Sequence, residues 1–227
     1  MMRHGLNKIA KCAVIVGTSF LLTGCIMLLL GGPSQFEMSQ LLPSKNKEVQ
    51  PRAYTMRGFL DVFSTGMDSL AVRIHDELHI RARSLSYHEE KKLANFLIRR
   101  YQEKQDHSPI ILIGHSYGAD DQITLAKRLN KANVPVALLI SLDNTKKQTI
   151  PPNVAVFYNI NSGQSMVSWL VPWGTPLTPS SKYTKMVTVN LVKDKHFYRV
   201  NHFNIDKLPE VQDLIIHIIK QQVLLKG

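Results

Sequence analysis

The stretch Gly114-His115-Ser116-Tyr117-Gly118 sets a serine between two glycines in the pattern G-x-S-x-G. A serine hydroxyl is a weak nucleophile until a base takes its proton, so the pattern matters only if a histidine and an acid serve it. Downstream the chain offers His196, His202 and His217. His217 falls inside a helical pattern, and His196 follows Lys193-Asp194-Lys195 in a charged loop. His202, in Val200-Asn201-His202-Phe203, sits between the last strand pattern and the last helix pattern. Acids between serine and histidine are Asp120, Asp121, Asp143 and Asp194. Asp120 and Asp121 open the helix after the serine, where negative charge is favourable without any catalytic role. Asp143 ends the apolar run Ala137-Leu138-Leu139-Ile140-Ser141-Leu142, on the rim where α/β sites form, although it also suits a cap on Asn144-Thr145. Asp206 reads as a cap for the last helix.

Such side chains need a scaffold, and the chain alternates two hydrophobic periods. Strand patterns cover Tyr54–Leu60, His79–Leu85, Ile110–Ile113, Val134–Leu142, Asn153–Ile160 and Met186–Val192. Between and after them, helical spacing runs over Asp68–Leu78, His88–Lys104, Asp120–Asn130 and Pro209–Leu225. Ile110-Ile111-Leu112-Ile113 is apolar without alternation, which suits a parallel strand buried on both faces. Strands alternating with helices imply an α/β fold with a mostly parallel sheet covered on both sides. The serine therefore follows a strand and precedes a helix, the context its pattern requires. Gly114 and Gly118 remove side chains that would strike the backbone of so tight a turn.

With that context, the chain resembles the α/β-hydrolase superfamily, in particular its compact lipase, esterase and thioesterase members. The resemblance covers roughly residues 53–220 and rests on the Gly114–Gly118 elbow, the Arg57-Gly58-Phe59-Leu60 turn and a late histidine. It implies a three-layer α/β sandwich and the chain order serine, acid, histidine, with Ser116 the nucleophile and His202, placed between the last strand and the last helix, the preferred base. The superfamily's acid more often follows the next strand, where this chain carries Asn159, Asn161 and Ser162 and no carboxylate. Some members place it one strand earlier, which favours Asp143. The resemblance also implies an oxyanion hole from the backbone N–H groups of Tyr117 and Phe59, with Ser64-Thr65-Gly66 as a second candidate for the latter. The activity implied is hydrolysis of an acyl ester or thioester through an acyl-enzyme, with no metal or organic cofactor. A catalytically inactive scaffold or binding protein of the same fold is the competing expectation.

Composition bounds the partners. The chain has 227 residues, 44% of them hydrophobic and 20% charged, as in a globular protein, and a formal net charge of +11. The basic residues are scattered, and no nucleic-acid-binding motif accompanies them, so nucleic acid is not an expected partner. Both cysteines, Cys12 and Cys25, precede the domain, which excludes a disulfide framework within it. Arg3, Lys8 and Lys11 precede the uncharged run Ala13–Leu30, a basic region followed by an apolar one. Within that run Leu22-Thr23-Gly24-Cys25 resembles a bacterial lipobox, implying cleavage and lipidation at Cys25. The 18-residue run is also just long enough to remain as an uncut anchor. Either way the expected location is the bacterial cell envelope, with the domain on the non-cytoplasmic side of the membrane. The expected organisation is a targeting segment over 1–30, a tether over 31–52 and a hydrolase-like domain over 53–227. Ser168-Trp169-Leu170-Val171-Pro172-Trp173-Gly174 reads equally as an acyl-chain wall and as an ordinary connection.

Overall fold

Continuous apolar runs build the middle of the sheet. The computed structural model describes residues 50–62, 64–103, 106–163 and 172–225. Cys25, the apolar run before it and most of the tether lie outside the described residues, as does Trp169. β1 (Arg52–Met56), β2 (Arg81–Leu85), β3 (Ile110–His115) and β4 (Val136–Leu142) join β6 (Val154–Asn161) and β8 (Lys185–Asn190) in one six-stranded sheet. Its order is β2-β1-β3-β4-β6-β8, and every adjacent pair is parallel. β5 (Gln148–Ile150) and β7 (Leu177–Pro179) form a separate two-stranded sheet that the hydrophobic pattern does not announce. Each is three residues long, too short for a period to register.

Successive side chains of a strand point to opposite faces, so β3 feeds two cores at once. Ile111 and Ile113 pack with Met67, Leu70 and Ile74 of α1 (Gly66–Leu78) and with Val211, Ile215 and Ile219 of α4 (Pro209–Ile219). Leu112 packs on the other face with Leu93 and Leu97 of α2 (Glu90–Gln102) and with Ile123 and Leu129 of α3 (Tyr117–Lys131). Full burial of each such side chain contributes about 1.5–3 kcal/mol. Three layers result.

The connections define where a site opens. After β1 the chain passes through α1 to the edge strand β2, then returns through α2 on the opposite face to β3. Adjacent strands whose connections leave on opposite faces open a crevice at their carboxyl ends. That switch lies between the ends of β1 and β3, beside Phe59 and Ser116.

Most boundaries shift from the sequence reading by one to three residues, and two shift further. The first strand covers Arg52–Met56 and not Tyr54–Leu60. Arg52 enters the sheet because its guanidinium pairs with Asp106 at 2.8 Å and its N–H donates to the Pro109 carbonyl. The chain leaves the strand after Met56, turning at Gly58 into a 3₁₀ turn over Phe59–Asp61. At the far end the regular helix stops at Ile219, and a π-type turn over Lys220–Leu224 follows it.

Candidate active site

Ser116 stands between the end of β3 and the start of α3 with φ 57° and ψ −124°, a conformation rarely held by a residue with a side chain. Such strain costs about 1–3 kcal/mol and persists only where surroundings enforce it. Here the Ser116 N–H donates to the Leu142 carbonyl at 2.9 Å, and the Ser116 carbonyl accepts from Ala119. The glycines make the turn possible. A Cβ on Gly118 would lie 2.3 Å from the Arg57 carbonyl oxygen and 2.4 Å from that of Met56. Both are backbone atoms near the end of β1 and cannot step aside. Gly118→Ala is therefore expected to destabilise the fold by about 3 kcal/mol or more, measured by denaturant unfolding; an unchanged midpoint would contradict the packing.

The structure brings together three residues from distant parts of the chain. Ser116 Oγ lies 3.1 Å from His202 Nε2, and His202 Nδ1 lies 3.3 Å from Asp143 Oδ2. Asp143 follows β4 in a left-handed conformation, φ 47°, that an aspartate tolerates better than most residues. Its carboxylate is fully buried and is met by Ser162 at the end of β6, which donates its N–H to Oδ1 at 2.8 Å and its hydroxyl to Oδ2. The strand end where sequence reasoning found no acid thus supplies the hydrogen bonds that orient the acid of the preceding strand. Trp173 stacks on the His202 ring, with centroids 4.6 Å apart and planes 17° from parallel. Trp173 is the one tryptophan among the described residues, and it meets the site.

The other candidates are elsewhere. Asp120 accepts from the N–H groups of Thr145 and Lys146 and from the Gln148 side chain, so it ties the loop after Asp143 to the helix after Ser116. Asp121 accepts from the His88 N–H at 2.8 Å, and Asp194 from that of His196. His196 is exposed and lies in a 3₁₀ turn, and His217 lies in α4. Asp206 does not cap the last helix, whose N-cap is Leu208 with proline following. Its carboxylate instead accepts from the Gly66 N–H at 2.8 Å, at the start of α1. Gln212 of α4 closes the same clasp, donating to the carbonyls of Gly66 and Asp206. Phe59 and Tyr117 have rings 5.6 Å apart beside the serine. A Cβ on Gly58 would sit 3.1 Å from Ser116 Cβ, so the turn carrying Phe59 abuts the serine directly. Ser64 is buried and bonded to His115, and Gly66 to Asp206, which engages the second candidate for an oxyanion donor in other contacts.

Sequence reasoning also passed over His115, the residue before the serine. Its Nε2 lies 2.9 Å from the His202 carbonyl oxygen, which can only accept, so Nε2 carries the hydrogen. In the neutral ring Nδ1 then accepts from the Ser64 hydroxyl at 2.8 Å. Burial pushes the imidazole down to about 3 from 6.5, with the nearby His202 adding to the shift. Asp206, whose Oδ1 lies 4.0 Å from His115 Nδ1, is pushed up to about 6 from 3.8, again by burial. The only signals for this pair in the sequence were that His115 precedes Ser116 directly and that Asp206 lies four residues after His202.

The two shifts act on stability with opposite sign. The depressed His115 value means a contribution fully present above pH 6.5 and lost as pH falls towards 3. The raised Asp206 value means a contribution present below pH 3.8 and lost as pH rises through 6. Between about pH 6 and 4 the two therefore largely cancel. His115→Gln removes one half of the balance, so its stability relative to wild type should improve by on the order of 3 kcal/mol between pH 7 and pH 4. Thermal unfolding at both pH values reads this; a constant difference would mean that His115 is not held neutral by the fold.

Comparison with known protein families and with curated protein sequences returns no match. Solved structures with a similar chain path include a putative hydrolase of the α/β superfamily from Xanthomonas campestris pv. campestris, 12% identical with a TM-score of 0.46, covering 76% of this chain and 99% of that one. Another is the type II thioesterase BorB from the borrelidin biosynthetic cluster, 14% identical with a TM-score of 0.45, covering 79% and 94%. A third is Est1E from Butyrivibrio proteoclasticus, 15% identical with a TM-score of 0.43, covering 81% and 92%. Likeness at this level says nothing of substrate, and the chemistry must be argued from the geometry of this chain. In its parallel sheet, its strand-turn-helix serine and its late histidine, the chain resembles the α/β-hydrolase superfamily.

Proposed function

We propose that the chain is a membrane-associated serine hydrolase that cleaves a carboxylic ester or thioester through an acyl-enzyme. The observation that carries this reading is the hydrogen-bonded line from Ser116 Oγ through His202 to Asp143. Ser116 Oγ attacks the acyl carbon while His202 Nε2 takes its proton, and the charged imidazole is stabilised by Asp143 through Nδ1–H. The negative oxygen of the tetrahedral intermediate is held by the Tyr117 and Phe59 N–H groups, helped by the positive end of α3. His202 returns the proton to the departing alcohol or thiol. Water, activated by the same imidazole, then attacks the acyl-enzyme and frees the acid and Ser116. Phe59, Tyr117, Trp173 and Phe203 give the acyl part an aromatic surround. Membrane association rests on the basic residues preceding the uncharged run Ala13–Leu30, with Cys25 as a lipidation site and the bacterial envelope as the location.

The test is labelling of the full chain with a fluorophosphonate probe, together with turnover of p-nitrophenyl esters of increasing chain length. Ser116 should carry the label and at least one ester should be cleaved. Absence of label and turnover, where a control hydrolase gives both, would sink the hydrolase reading.

A further inference from the structure

All six strands of the main sheet run parallel, so the loops leaving their carboxyl ends gather on the one edge that holds Ser116, His202 and Asp143. That edge is chemically unlike the rest of the surface. Nine large hydrophobic side chains are exposed among the described residues, and six of them, Phe59, Val62, Tyr117, Val192, Tyr198 and Phe203, lie on these loops or, for Tyr117, at the first residue of α3. Phe203, next to His202, is 59% exposed, and Tyr198 73%. The remaining three, Val72, Tyr183 and Leu225, lie on α1, before β8 and beyond α4.

The same loops carry the exposed cations Lys146, Lys147, Lys193, Lys195, Arg199 and Lys207, against two exposed acids, Asp194 and Glu210 in the first turn of α4. Contacts fix several of them beside the site. Lys146 Nζ lies 5.7 Å from the Tyr117 ring centre, and Lys207 Nζ donates to the Phe203 carbonyl. A Cβ on Gly163, one residue past Ser162, would touch Val192 at 3.4 Å. Apolar and cationic side chains alternate singly, as in Val192-Lys193 and Tyr198-Arg199, and do not form one apolar groove.

We propose that this edge seats on an anionic lipid bilayer with the Ser116 mouth facing the headgroups, and that the acyl ester is drawn from that membrane. The second clause rests on the hydrolase reading; the first does not. Single aromatic and aliphatic side chains insert at the headgroup level, while lysine and arginine reach the phosphates and are drawn by the surface charge. The chain itself argues for a bilayer over an acidic protein, since its uncharged run Ala13–Leu30 is the kind of segment a membrane holds. The tether also permits the orientation. β1 is entered at the opposite edge of the sheet, so the chain must run back past the domain. The 21 residues from 31 to 51 can span at most about 70 Å extended, several times the length of a strand of five residues.

The experiment uses the full chain on vesicles of phosphatidylcholine alone, or of phosphatidylcholine with an equal part of phosphatidylglycerol, under limited trypsin. Cleavage after Lys193, Lys195 and Arg199 should slow about tenfold or more on the anionic vesicles and recover in high salt. Cleavage after Lys182, before β8 at the opposite edge, should be the same on both. Equal cleavage of the three sites on the two vesicles overturns the proposal, as does protection by a soluble acidic protein with none by vesicles. Protection without turnover of any ester keeps the docking face and removes the hydrolase reading. With turnover present, Lys193→Glu/Lys195→Glu/Arg199→Glu should abolish the preference for a lipid-borne ester in anionic vesicles while leaving a soluble short-chain ester unaffected. A preference that survives the triple charge reversal also overturns it.

Discussion

Ser116→Ala is expected to lower kcat on a short-chain p-nitrophenyl ester by about 10⁴-fold or more, with KM little changed. In the proposed mechanism the hydroxyl bonds to the acyl carbon only along the reaction path, so its removal withdraws stabilisation from the transition state and not from bound substrate. His202→Ala should cost a similar factor, because without a base at 3.1 Å the hydroxyl keeps its proton. The double variant should be scarcely worse than either single one, since the two groups act as one unit. Residual turnover would come from binding and the oxyanion donors. Steady-state kinetics on the three variants decide it; near-wild-type kcat in Ser116→Ala would place the nucleophile elsewhere.

Asp143→Asn should be nearly as damaging, about 10⁴-fold in kcat, for a reason specific to this site. Ser162 donates its N–H to Oδ1, so an asparagine must keep its carbonyl oxygen there. Its amide NH₂ then takes the place of Oδ2 and points at His202 Nδ1. The Ser162 hydroxyl can rotate to accept from it, so nothing resists that orientation. Facing a donor, Nδ1 must become the acceptor, which puts the ring hydrogen on Nε2 and removes the lone pair that should take the proton of Ser116. Asp143→Ala leaves the imidazole free to choose its tautomer and should therefore retain more activity than Asp143→Asn. Equal or greater activity in the asparagine variant would show that the Ser162 bonds do not impose the orientation.

The elements behind these predictions were unequally legible in the sequence. The alternation of strand patterns such as Ile110–Ile113 and Val134–Leu142 with helical spacing was enough to infer a parallel sheet, and burial on both faces left Ile110–Ile113 with no polar interruption. The first strand was misplaced because Arg52 hides its start: a charged residue enters the sheet when a partner such as Asp106 waits 54 positions away. Asp143 could be chosen from its strand end, but Ser162 could not be recognised as its support, since a serine after a strand carries no signal of what it faces. The same holds for Asp206, whose position four residues after His202 suggested a helix cap. Its partner is the Gly66 N–H, 140 residues upstream, a pairing invisible to any local rule.

That last pairing bears on how the molecule comes into being. Synthesis delivers α1 early, yet the groups that close its first turn, the carboxylate of Asp206 and the amide of Gln212, come from the far end of the domain. Until they emerge, a nascent chain lacks the clasp that pins α1 to α4, and before residue 202 it also lacks the imidazole that meets Ser116 Oγ. On the proposed mechanism, Ser116 is therefore made long before His202, the residue that would activate it. A ribosome-bound intermediate arrested before residue 202 should therefore leave Ser116 unlabelled by a fluorophosphonate.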